Sequence, residues 1–390
     1  MNTIKKVDLK DKIVLLRTDY NVTIDVHGKI IDDIRVKATL PTLKYLMKHA
    51  KKIIIVSHLG RPIIQAKASM QRIIAGNQGI ILKPVANDLA KRLKIDFCDK
   101  DAQFDDFVLP FYKLNDKIWL MENIRFCPEE EANDDSFAKT LANLADVYVD
   151  DAFGNIHRAH ASMVGVTKYL PSYAGLLLTR EIETLSMLMK KPPKPFVLIS
   201  GGAKVSEKIL TLEKLVKKAD KILLGGIMAN TFLASRDIDM KKSAVEKDSI
   251  EKANELYALA AKKFYLPNDL IWRSFAAVDI GKTTIRQFEQ IIAKAETVFW
   301  NGTMGLTSVG NFKYAHGTHA IIKAVANSQA KNKIICGGDT IAEVSKMKLI
   351  NKMTFVSTGG GAALSFLAGD VLPGIEALEE NTKMKFEKSK

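Results

Sequence analysis

The segment YVDDAFGNIHRAH, residues 148–160, places two adjacent acids, two histidines and an arginine directly after a short apolar run. Acids and histidines at this spacing could bind a metal or relay a proton, whereas histidines and arginine together could bind an anion. A metal site at His157 and His160 lacks a third set of ligands, and Arg158 between them would repel a cation. A hydrolase triad needs a nucleophile motif such as G-x-S-x-G, which the sequence does not contain. We therefore take an anion site as the working interpretation.

Basic residues also follow other apolar runs of the N-terminal half. The runs IVSHLGRP and MENIRF end in His58, Arg61 and Arg125, and Arg35 follows in DDIRVKATLP. Because parallel strands end at one edge of a sheet, these side chains would face a common pocket. Guanidinium groups suit carboxylate and phosphate oxygens, so the pocket fits a small, doubly anionic molecule. The alternative is a set of structural pairs between these arginines and four acids, which are Asp32, Asp33, Asp150 and Asp151.

In the C-terminal half, five strand-like runs end in glycine instead. They are LISGGAKVSEK, LLGGIMANTF, FWNGTMG, IICGGDTIAEV and VSTGGGAALSF. Glycine lets a phosphate approach the backbone closely, and a following helix directs free N–H groups and its positive dipole end toward that phosphate. A single pair of glycines indicates only a tight turn, but five at equivalent positions favour a polyphosphate site.

Three charged side chains accompany these glycines. Lys204 and Lys208 are four residues apart, so they share a helix face near the helix start, where an anion would offset their unfavourable position. Asp339 directly follows a glycine pair and could hold a magnesium ion that bridges phosphates. Asp339 could equally be a helix N-cap. A loose phosphate-loop match, AAVDIGKTT at residues 276–284, begins with Ala276 and is not glycine-rich, so we do not expect a phosphate loop there.

The bulk composition indicates a two-domain globular protein. The chain has 390 residues, and its three cysteines, Cys98, Cys127 and Cys336, are far apart, which fits a reducing cytoplasm. No signal-peptide pattern and no membrane-length apolar run is present, so we expect a cytoplasmic protein without a membrane partner. The formal net charge of +14 could favour nucleic acid or anionic metabolites. Its lysines are spread along the whole chain, which favours a solvated surface and no nucleic-acid partner.

Strand-like and helix-like segments alternate throughout, which predicts parallel sheets covered by helices. At this point the sequence resembles the phosphoglycerate kinase family over nearly its whole length. The matching segments, in family order, are RTDYNV, DDIRVKATLPTLKYL, SHLGRP, ENIRF, DDAFGNIHRAHAS, GGAKVSEKI, LLGGIMANTFL, DIG, WNGTMG, GGDT, STGGGAAL and LPGIEAL.

The resemblance implies an α/β fold of two doubly wound, parallel-sheet (Rossmann-like) domains that face a central cleft and are joined by a long helix. The implied N-terminal domain, residues 1–170, binds phosphoglycerate, and residues 375–390 pack back on it. Residues 171–190 would form the interdomain helix, which the proline-rich segment KKPPKP ends. Residues 191–374 would form the nucleotide-binding domain.

The activity implied by the resemblance is that of a kinase, a phosphotransferase with a carboxyl group as acceptor. It converts 1,3-bisphosphoglycerate and ADP reversibly into 3-phosphoglycerate and ATP in glycolysis and gluconeogenesis, with Mg²⁺ as MgATP or MgADP. The transfer would be in line and would follow a hinge closure. The implied partners are these nucleotides and phosphoglycerates, and we expect a monomer.

The resemblance also assigns roles residue by residue. The catalytic residues would be Arg35, Lys204, Lys208, Gly359, Gly360 and Gly361. The phosphoglycerate would be bound by Asp19, Tyr20, Asn21, Arg35, His58, Leu59, Gly60, Arg61, Arg125 and Arg158. The nucleotide would be bound by Gly202, Lys204, Lys208, Gly225, Gly226, Gly281, Asn301, Ser308, Gly337, Gly338, Asp339 and Thr340, with Asp339 also holding the metal.

Several positions depart from the family pattern, mostly on the nucleoside side. Ser308 replaces the glutamate that binds the ribose in the family, while Thr303, Thr307 and Lys282 replace a proline, a phenylalanine and a proline. We therefore expect a weakened ribose contact. The alternative function is a family member with reduced nucleotide affinity that acts as a binding or interaction protein.

Overall fold

The structure is a computed structural model that describes residues 1–64, 68–95, 101–102, 109–307 and 314–388. The chain forms two compact units, which we call unit 1 and unit 2. Unit 1 consists of Met1–Ile182 together with Val371–Lys390, and unit 2 consists of Glu183–Asp370. Unit 2 is therefore continuous in sequence, whereas unit 1 is completed by the last segment of the chain.

Unit 1 is built on a seven-stranded sheet. Its strands are β1 (Ile13–Arg17), β2 (Lys52–Val56), β3 (Asp101–Ala102), β4 (Phe111–Lys113), β5 (Ile118–Met121), β6 (Val147–Asp150) and β7 (Ser172–Ala174). They are ordered β3-β4-β5-β2-β1-β6-β7. Strand β4 is antiparallel to both β3 and β5, and the five strands from β5 to β7 in this order are parallel to one another. Runs such as IVLLR and KIIIV are apolar except at one terminal residue, because helices cover both faces of a parallel sheet.

The helices of unit 1 are α1 (Ile34–His49), α2 (Met70–Gly76), α3 (Lys83–Leu93), α4 (Pro128–Glu131), α5 (Asp135–Ala142), the first part of α6 (Leu176–Lys190), and α14 (Pro373–Lys388). The helix predicted over residues 171–190 begins only at Leu176, because Ser172–Ala174 pair with β6 as a strand. The start of α6 is fixed by the buried Asp151, whose carboxylate accepts hydrogen bonds from Leu177 N at 2.9 Å and Leu178 N at 3.2 Å.

One buried side chain of the C-terminal helix α14, that of Asn381, makes three hydrogen bonds to unit 1. The Asn381 amide accepts a hydrogen bond from Ser172 N at 2.9 Å. It donates to Thr167 O at 2.7 Å and Leu170 O at 3.0 Å. The last segment thus supplies hydrogen-bond partners to buried backbone groups beside β7.

Unit 2 is built on a six-stranded, all-parallel sheet and a separate antiparallel hairpin. The sheet strands are β8 (Phe196–Ser200), β9 (Lys221–Leu224), β10 (Phe264–Tyr265), β13 (Thr297–Asn301), β14 (Asn332–Cys336) and β15 (Phe355–Val356), in the order β10-β9-β8-β13-β14-β15. The hairpin consists of β11 (Leu270–Arg273) and β12 (Ala276–Ile280).

The helices wholly within unit 2 are α7 (Val205–Leu215), α8 (Gly226–Ala234), α9 (Ile250–Ala260), α10 (Lys282–Ile292), α11 (His316–Asn327), α12 (Gly338–Lys346) and α13 (Gly361–Ala368). Within the described ranges, no single helix is long and apolar enough to span a membrane, and one broken pair, Gly361–Ala368 with Pro373–Lys383, qualifies by length and composition alone.

In each sheet, the direction in which the chain adds successive strands reverses once. Open α/β folds bind ligands at such a reversal of the strand order. In unit 1 the chain proceeds outward from β1 in one direction and from β6 in the other, so the crevice lies beyond the carboxyl ends of β1 and β6. In unit 2 the equivalent neighbours are β8 and β13. The predicted α/β fold with parallel-sheet, Rossmann-like domains is confirmed.

Candidate active site

The loop after β1 forms the first part of the unit 1 site. Asp19 Oδ1 lies 3.2 Å from Arg35 Nη1 and accepts a hydrogen bond from Asn21 N at 3.1 Å. Arg35 also donates to Asn21 O at 2.8 Å, so the loop and the first turn of α1 are joined. Tyr20 is fully buried, and its hydroxyl lies 3.0 Å from Thr39 Oγ1. Its side chain therefore belongs to the core and supports the loop instead of facing the site.

The loop after β2 contributes the next group of predicted residues. Gly60 N donates to Asn21 Oδ1 at 2.9 Å, and Arg125 Nη1 donates to Gly60 O at 2.8 Å. Leu59 is bound on both of its backbone groups by the Asn123 side chain. Gly60 has a φ of +61°, which a side chain disfavours. The structure thus joins Asp19, Asn21, Arg35, Leu59, Gly60 and Arg125 through direct contacts, while Arg61 lies exposed beside them.

Positive charge is concentrated around the buried His58. Burial, together with the charges of Arg17, Arg125, Arg35 and Arg158, holds the pKa of His58 well below its usual range. Burial and the neighbouring Arg158 lower the pKa of Arg125 to about 10. Among the described residues, His58 Nδ1 and Arg125 Nη2 are buried without a hydrogen-bond partner. Such an arrangement is unfavourable by itself, and an anion with several acceptor oxygens would relieve it.

The four acids that the sequence offers as structural partners of these arginines bind elsewhere. Asp33 pairs with Arg92 at 2.7 Å and Lys37 at 2.9 Å. The carboxylates of Asp32, Asp150 and Asp151 accept backbone N–H groups. Other acids do approach the cluster. Asp19 Oδ1 lies 3.2 Å from Arg35 Nη1, and Glu131 Oε1 lies 3.1 Å from Arg125 Nε, although Glu131 is 55% exposed and Arg125 Nε makes no hydrogen bond among the described contacts. Structural pairing with the four candidate acids therefore does not explain the arginine cluster within the described contacts.

A second buried network accounts for one histidine of the opening motif. Arg17 Nε donates to Ser162 Oγ at 2.8 Å, and Ser162 Oγ donates to Glu130 Oε1 at 2.6 Å. His160 Nδ1 lies 3.6 Å from the same Glu130 oxygen. His160 is therefore part of the core, and across the described residues no group of three His, Cys, Asp or Glu side chains could hold a metal ion. The sequence analysis did not predict Arg17 as part of the positive cluster, because it is the last residue of an apolar strand. Its position at the carboxyl end of that strand was the signal that could have identified it.

In unit 2, the glycine turns after β8 and β13 meet at the reversal of the sheet. Gly201 N donates to Asn301 O at 2.9 Å, and Gly202 N donates to Thr303 O at 2.7 Å. Gly302 has a φ of +89°, and a Cβ at this position would lie 2.0 Å from Gly201 O. The two turns approach each other so closely that a side chain at Gly302 would break the contact.

The two predicted lysines differ in their surroundings. Lys208 Nζ donates to Gly201 O at 2.7 Å and Ala203 O at 2.9 Å, and burial lowers the pKa of Lys208 although Asp339 and Glu207 oppose this. The Lys204 side chain is 71% exposed and lies 3.0 Å from Glu207 Oε1. Lys208 is therefore held at the β8 turn, whereas Lys204 extends into solvent.

The helix starts next to the glycine turns are not equivalent. The start of α7 is occupied by Glu246, whose carboxylate accepts Val205 N at 2.7 Å and Ser206 N at 2.8 Å. In the part of the chain that the structure describes, the residues preceding α8, α12 and α13 make no side-chain cap. Open space lies where a Cβ would project from Gly338, Gly360 and Gly361. The starts of α12 and α13 therefore fit a phosphate better than the start of α7 does.

A cavity of about 350 Å³ lies beside these turns. Its wall is mainly apolar and includes Ile227, Leu270, Val278, Met304 and Leu306. Polar groups at its margin include Asn230, Lys242 and the exposed Asp339. The size and apolar wall suit a nucleoside, and the carboxylate of Asp339 is suitably exposed for a hard cation.

The other predicted nucleotide residues are placed as follows. Gly202 and Gly226 line the cavity, and Gly225 and Gly337 lie in the adjoining turns. Asn301 is the last residue of β13, and Gly338 and Thr340 lie in the first turn of α12. Thr340 Oγ1 accepts Gly302 N at 2.8 Å and is buried. Gly281 does not line the cavity; its turn is packed against Asp269, whose carboxylate caps α10 through Thr283 N and Thr284 N. That cap also occupies the helix start at which a phosphate loop would bind. Ser308 lies outside the described residues.

Comparisons with known proteins agree with this geometry. The family model described as phosphoglycerate kinase matches residues 4–370. A phosphoglycerate kinase of Moorella thermoacetica is 42% identical over 97% of this chain and 99% of its own length. One of Finegoldia magna is 41% identical over 97% and 99%.

Solved structures are similar as well. The phosphoglycerate kinase of Coxiella burnetii has a TM-score of 0.80 at 35% identity and covers 97% of this chain and 98% of its own. That of Pyrococcus horikoshii has a TM-score of 0.79 at 28% identity and covers 98% and 100%. The resemblance expected from the motifs is confirmed, and the chain belongs to the phosphoglycerate kinase family.

Proposed function

We propose that the chain catalyses the reversible transfer of a phosphoryl group from 1,3-bisphosphoglycerate to ADP, with the phosphoglycerate bound by unit 1 and the nucleotide by unit 2. The glycolytic transfer follows from membership of the family and from relatives 40–42% identical over the full chain. The observation that supports the assignment of substrates to units is the arginine cluster around His58 in unit 1, where His58 Nδ1 and Arg125 Nη2 are buried without a hydrogen-bond partner among the described residues.

In unit 1, the arginine cluster would bind the carboxylate and phosphate of the phosphoglycerate. Arg125 Nη2 is buried without a partner among the described residues, so a substrate oxygen would replace a missing hydrogen bond. Arg158 contributes charge to the same cluster. Arg35 is 32% exposed and held by Asp19, so it would be oriented before substrate arrives. Asn21, Gly60 and Arg61 would complete the site.

In unit 2, the cavity would bind the nucleoside, and the starts of α12 and α13 would bind the phosphates. Backbone N–H groups of Gly360 and Gly361 would face phosphate oxygens as α13 begins, while Gly359 N donates to Ser357 Oγ at 3.2 Å and holds the turn in place. Lys208, fixed at the β8 turn, would neutralise phosphate charge. Enzymes of this family use nucleotides and generally require Mg²⁺, which arrives with the nucleotide. Asp339 fits this ion because one exposed carboxylate plus substrate phosphates is a common way for proteins to bind Mg²⁺.

The chemistry requires no nucleophilic side chain, because the acyl phosphate is already reactive. Catalysis then consists of aligning donor and acceptor oxygens and of neutralising the charge on the phosphoryl group during transfer. We assign these tasks to Arg35 on the phosphoglycerate side, and to Lys208 and the Gly359–Gly361 turn on the nucleotide side. The alternative of a non-catalytic binding protein is not favoured, because Lys208, Asp339 and the arginine cluster are all present and placed beside suitable sites.

The decisive experiment is a coupled assay with 3-phosphoglycerate, MgATP and a downstream dehydrogenase, run beside calorimetric titrations with each substrate. We expect turnover in the wild type and loss of 3-phosphoglycerate binding in Arg125→Ala. Arg92→Ala is the matched control, because Arg92 is engaged by Asp33 and Asp88 in the same unit. Binding of both substrates without turnover would favour the non-catalytic alternative. Equal 3-phosphoglycerate affinity in Arg125→Ala and wild type would contradict the assignment to unit 1.

We further propose that the protein acts as a cytoplasmic monomer without nucleic-acid or membrane partners. The support is the glycolytic role of the family and its small anionic substrates. The net charge of +14 would attract these substrates. Sedimentation of the purified chain tests the monomer directly.

A further inference from the structure

Glu246 makes a contact at the start of α7 that the phosphotransfer roles above do not use. Its two carboxylate oxygens accept Val205 N at 2.7 Å and Ser206 N at 2.8 Å. These are the first two residues of α7, and they directly follow Lys204, whose φ of +56° is left-handed. A carboxylate here offsets both the free N–H groups and the positive end of the helix dipole.

The position of Lys208 depends on the loop that enters α7, which the Glu246 contact joins to the helix. Both of its hydrogen-bond acceptors, Gly201 O and Ala203 O, belong to the loop that enters α7. Lys208 itself lies in the first turns of the helix. Any change in how the loop joins α7 therefore moves the lysine and its two acceptors relative to each other.

Glu246 is itself fixed by neighbouring elements. Its backbone N donates to Thr231 Oγ1 at 3.2 Å, which ties it to α8. The segment before it is bound to the β11–β12 hairpin, since Lys242 N donates to Phe275 O at 3.0 Å and Ser243 Oγ accepts Ala277 N at 2.8 Å. Residues 242–246 therefore connect the wall of the nucleoside cavity to the start of α7.

Glu246 also occupies both N–H groups at this helix start. Without its carboxylate, the start of α7 would expose two N–H groups beside two lysines, which is an attractive site for a nucleotide phosphate. The start of α7 would then compete with the starts of α12 and α13 for the phosphates. With Glu246 in place, the starts of α12 and α13 remain the available ones.

We propose that Glu246 is a positioning residue for phosphoryl transfer, which places Lys208 by capping α7 and keeps phosphates away from that helix start. This inference rests on the role proposed above for Lys208. It predicts that Glu246 acts through Lys208, so that the effects of removing the two side chains are not independent.

A double-mutant cycle tests this dependence. Glu246→Ala should lower kcat roughly tenfold, since small displacements of a catalytic group have effects of at least this size. KM for 3-phosphoglycerate should not change. Adding Glu246→Ala to Lys208→Ala should slow the enzyme no further. Glu246→Gln should recover most of the activity, because its amide oxygen still accepts one of the two N–H groups.

Asp134→Ala is the matched control for loss of a helix cap. Asp134 accepts Phe137 N at 2.9 Å at the start of α5 in unit 1, so its removal should affect thermal stability but leave kcat unchanged. If the rate losses of Glu246→Ala and Lys208→Ala multiply, or if Glu246→Ala retains wild-type kcat, Glu246 does not position Lys208. If Lys208→Ala itself retains wild-type kcat, the failure lies in the proposed role of Lys208.

Discussion

Asp19 Oδ1 receives both the Arg35 guanidinium, at 3.2 Å, and the backbone N–H of Asn21, at 3.1 Å. One carboxylate oxygen therefore determines the conformation of the loop and the direction of the arginine together. Because Arg35 is oriented without substrate, its charge is available to the transition state at little reorganisation cost.

Arg35→Ala should lower kcat by about 10²-fold or more, as expected for loss of a charge that acts on the transition state. Nucleotide affinity should be nearly unchanged, since Arg35 belongs to unit 1. Steady-state kinetics and MgADP titrations measure the two effects. Lys37→Ala is the control: it lies on the same helix, is 57% exposed and pairs only with Asp33 among the described contacts. A near-normal kcat in Arg35→Ala would remove this residue from the catalytic set.

Lys208→Ala should reduce kcat far more than Lys204→Ala, by at least about tenfold. The reason is that Lys208 is held by two carbonyl oxygens, whereas Lys204 is 71% exposed beside Glu207. The two variants remove the same charge from the same helix start, so each serves as the control of the other. Equal losses would show that the overall field matters and that the placement of Lys208 does not.

The sequence patterns predicted the elements of this site better than their contacts. Apolar runs ending in Gly201, Gly302 and Gly337 are local signals, and each predicted turn lies at the carboxyl end of a parallel strand. The strand order that brings the β8 and β13 turns together is not local. For the same reason, the pattern could not distinguish the α7 start, capped by a glutamate forty residues away, from the uncapped start of α12.

Arg17 and the start of α6 illustrate two other limits of prediction from the sequence. An arginine at the end of an apolar strand is predicted to be exposed. Arg17 is instead buried, because Ser162 and Glu130 from distant segments contact it. A helix is predicted from residue 171 onward, yet Ser172–Ala174 pair with β6. Tertiary pairing overrides local preference where a free sheet edge is available.

Asp151→Asn should change the pH dependence of unfolding. Burial raises the pKa of Asp151 from 3.8 to about 7, although hydrogen bonds from Thr42, Leu177 and Leu178 oppose this. The folded state therefore binds a proton that the unfolded state releases, and this stabilisation is complete below about pH 4 and lost as pH rises through about 7. Relative to the wild type, Asp151→Asn should gain on the order of 3 kcal/mol between these limits.

Urea unfolding at a series of pH values measures this difference. The asparagine oxygen can still accept Leu177 N, so the cap of α6 is kept and any constant offset is independent of pH. The slope between pH 4 and 7 is the decisive quantity. Parallel stability curves for the two proteins would show that Asp151 titrates in its ordinary range.

Asn381→Ala should destabilise unit 1 by about 2–4 kcal/mol, because three buried hydrogen bonds of roughly 0.5–1.5 kcal/mol each are lost. The affected groups are Ser172 N, Thr167 O and Leu170 O. Hydrogen exchange followed by mass spectrometry should show faster exchange in residues 167–174. Thr382→Ala is the control, because its hydroxyl binds only Leu378 O within α14 among the described contacts. Unchanged exchange in Asn381→Ala would mean that other contacts hold the last helix.

The return of α14 to unit 1 has a consequence for how the chain is made on the ribosome. The groups that Asn381 satisfies emerge early, but Asn381 itself is translated only after all of residues 183–370. At about 5–20 residues per second, unit 1 waits roughly 10–40 s for its last helix. Unit 2 is continuous in sequence and has no such delay. Although the N-terminal domain of a chain ordinarily folds first, here the second unit to be synthesised is the first that can be completed.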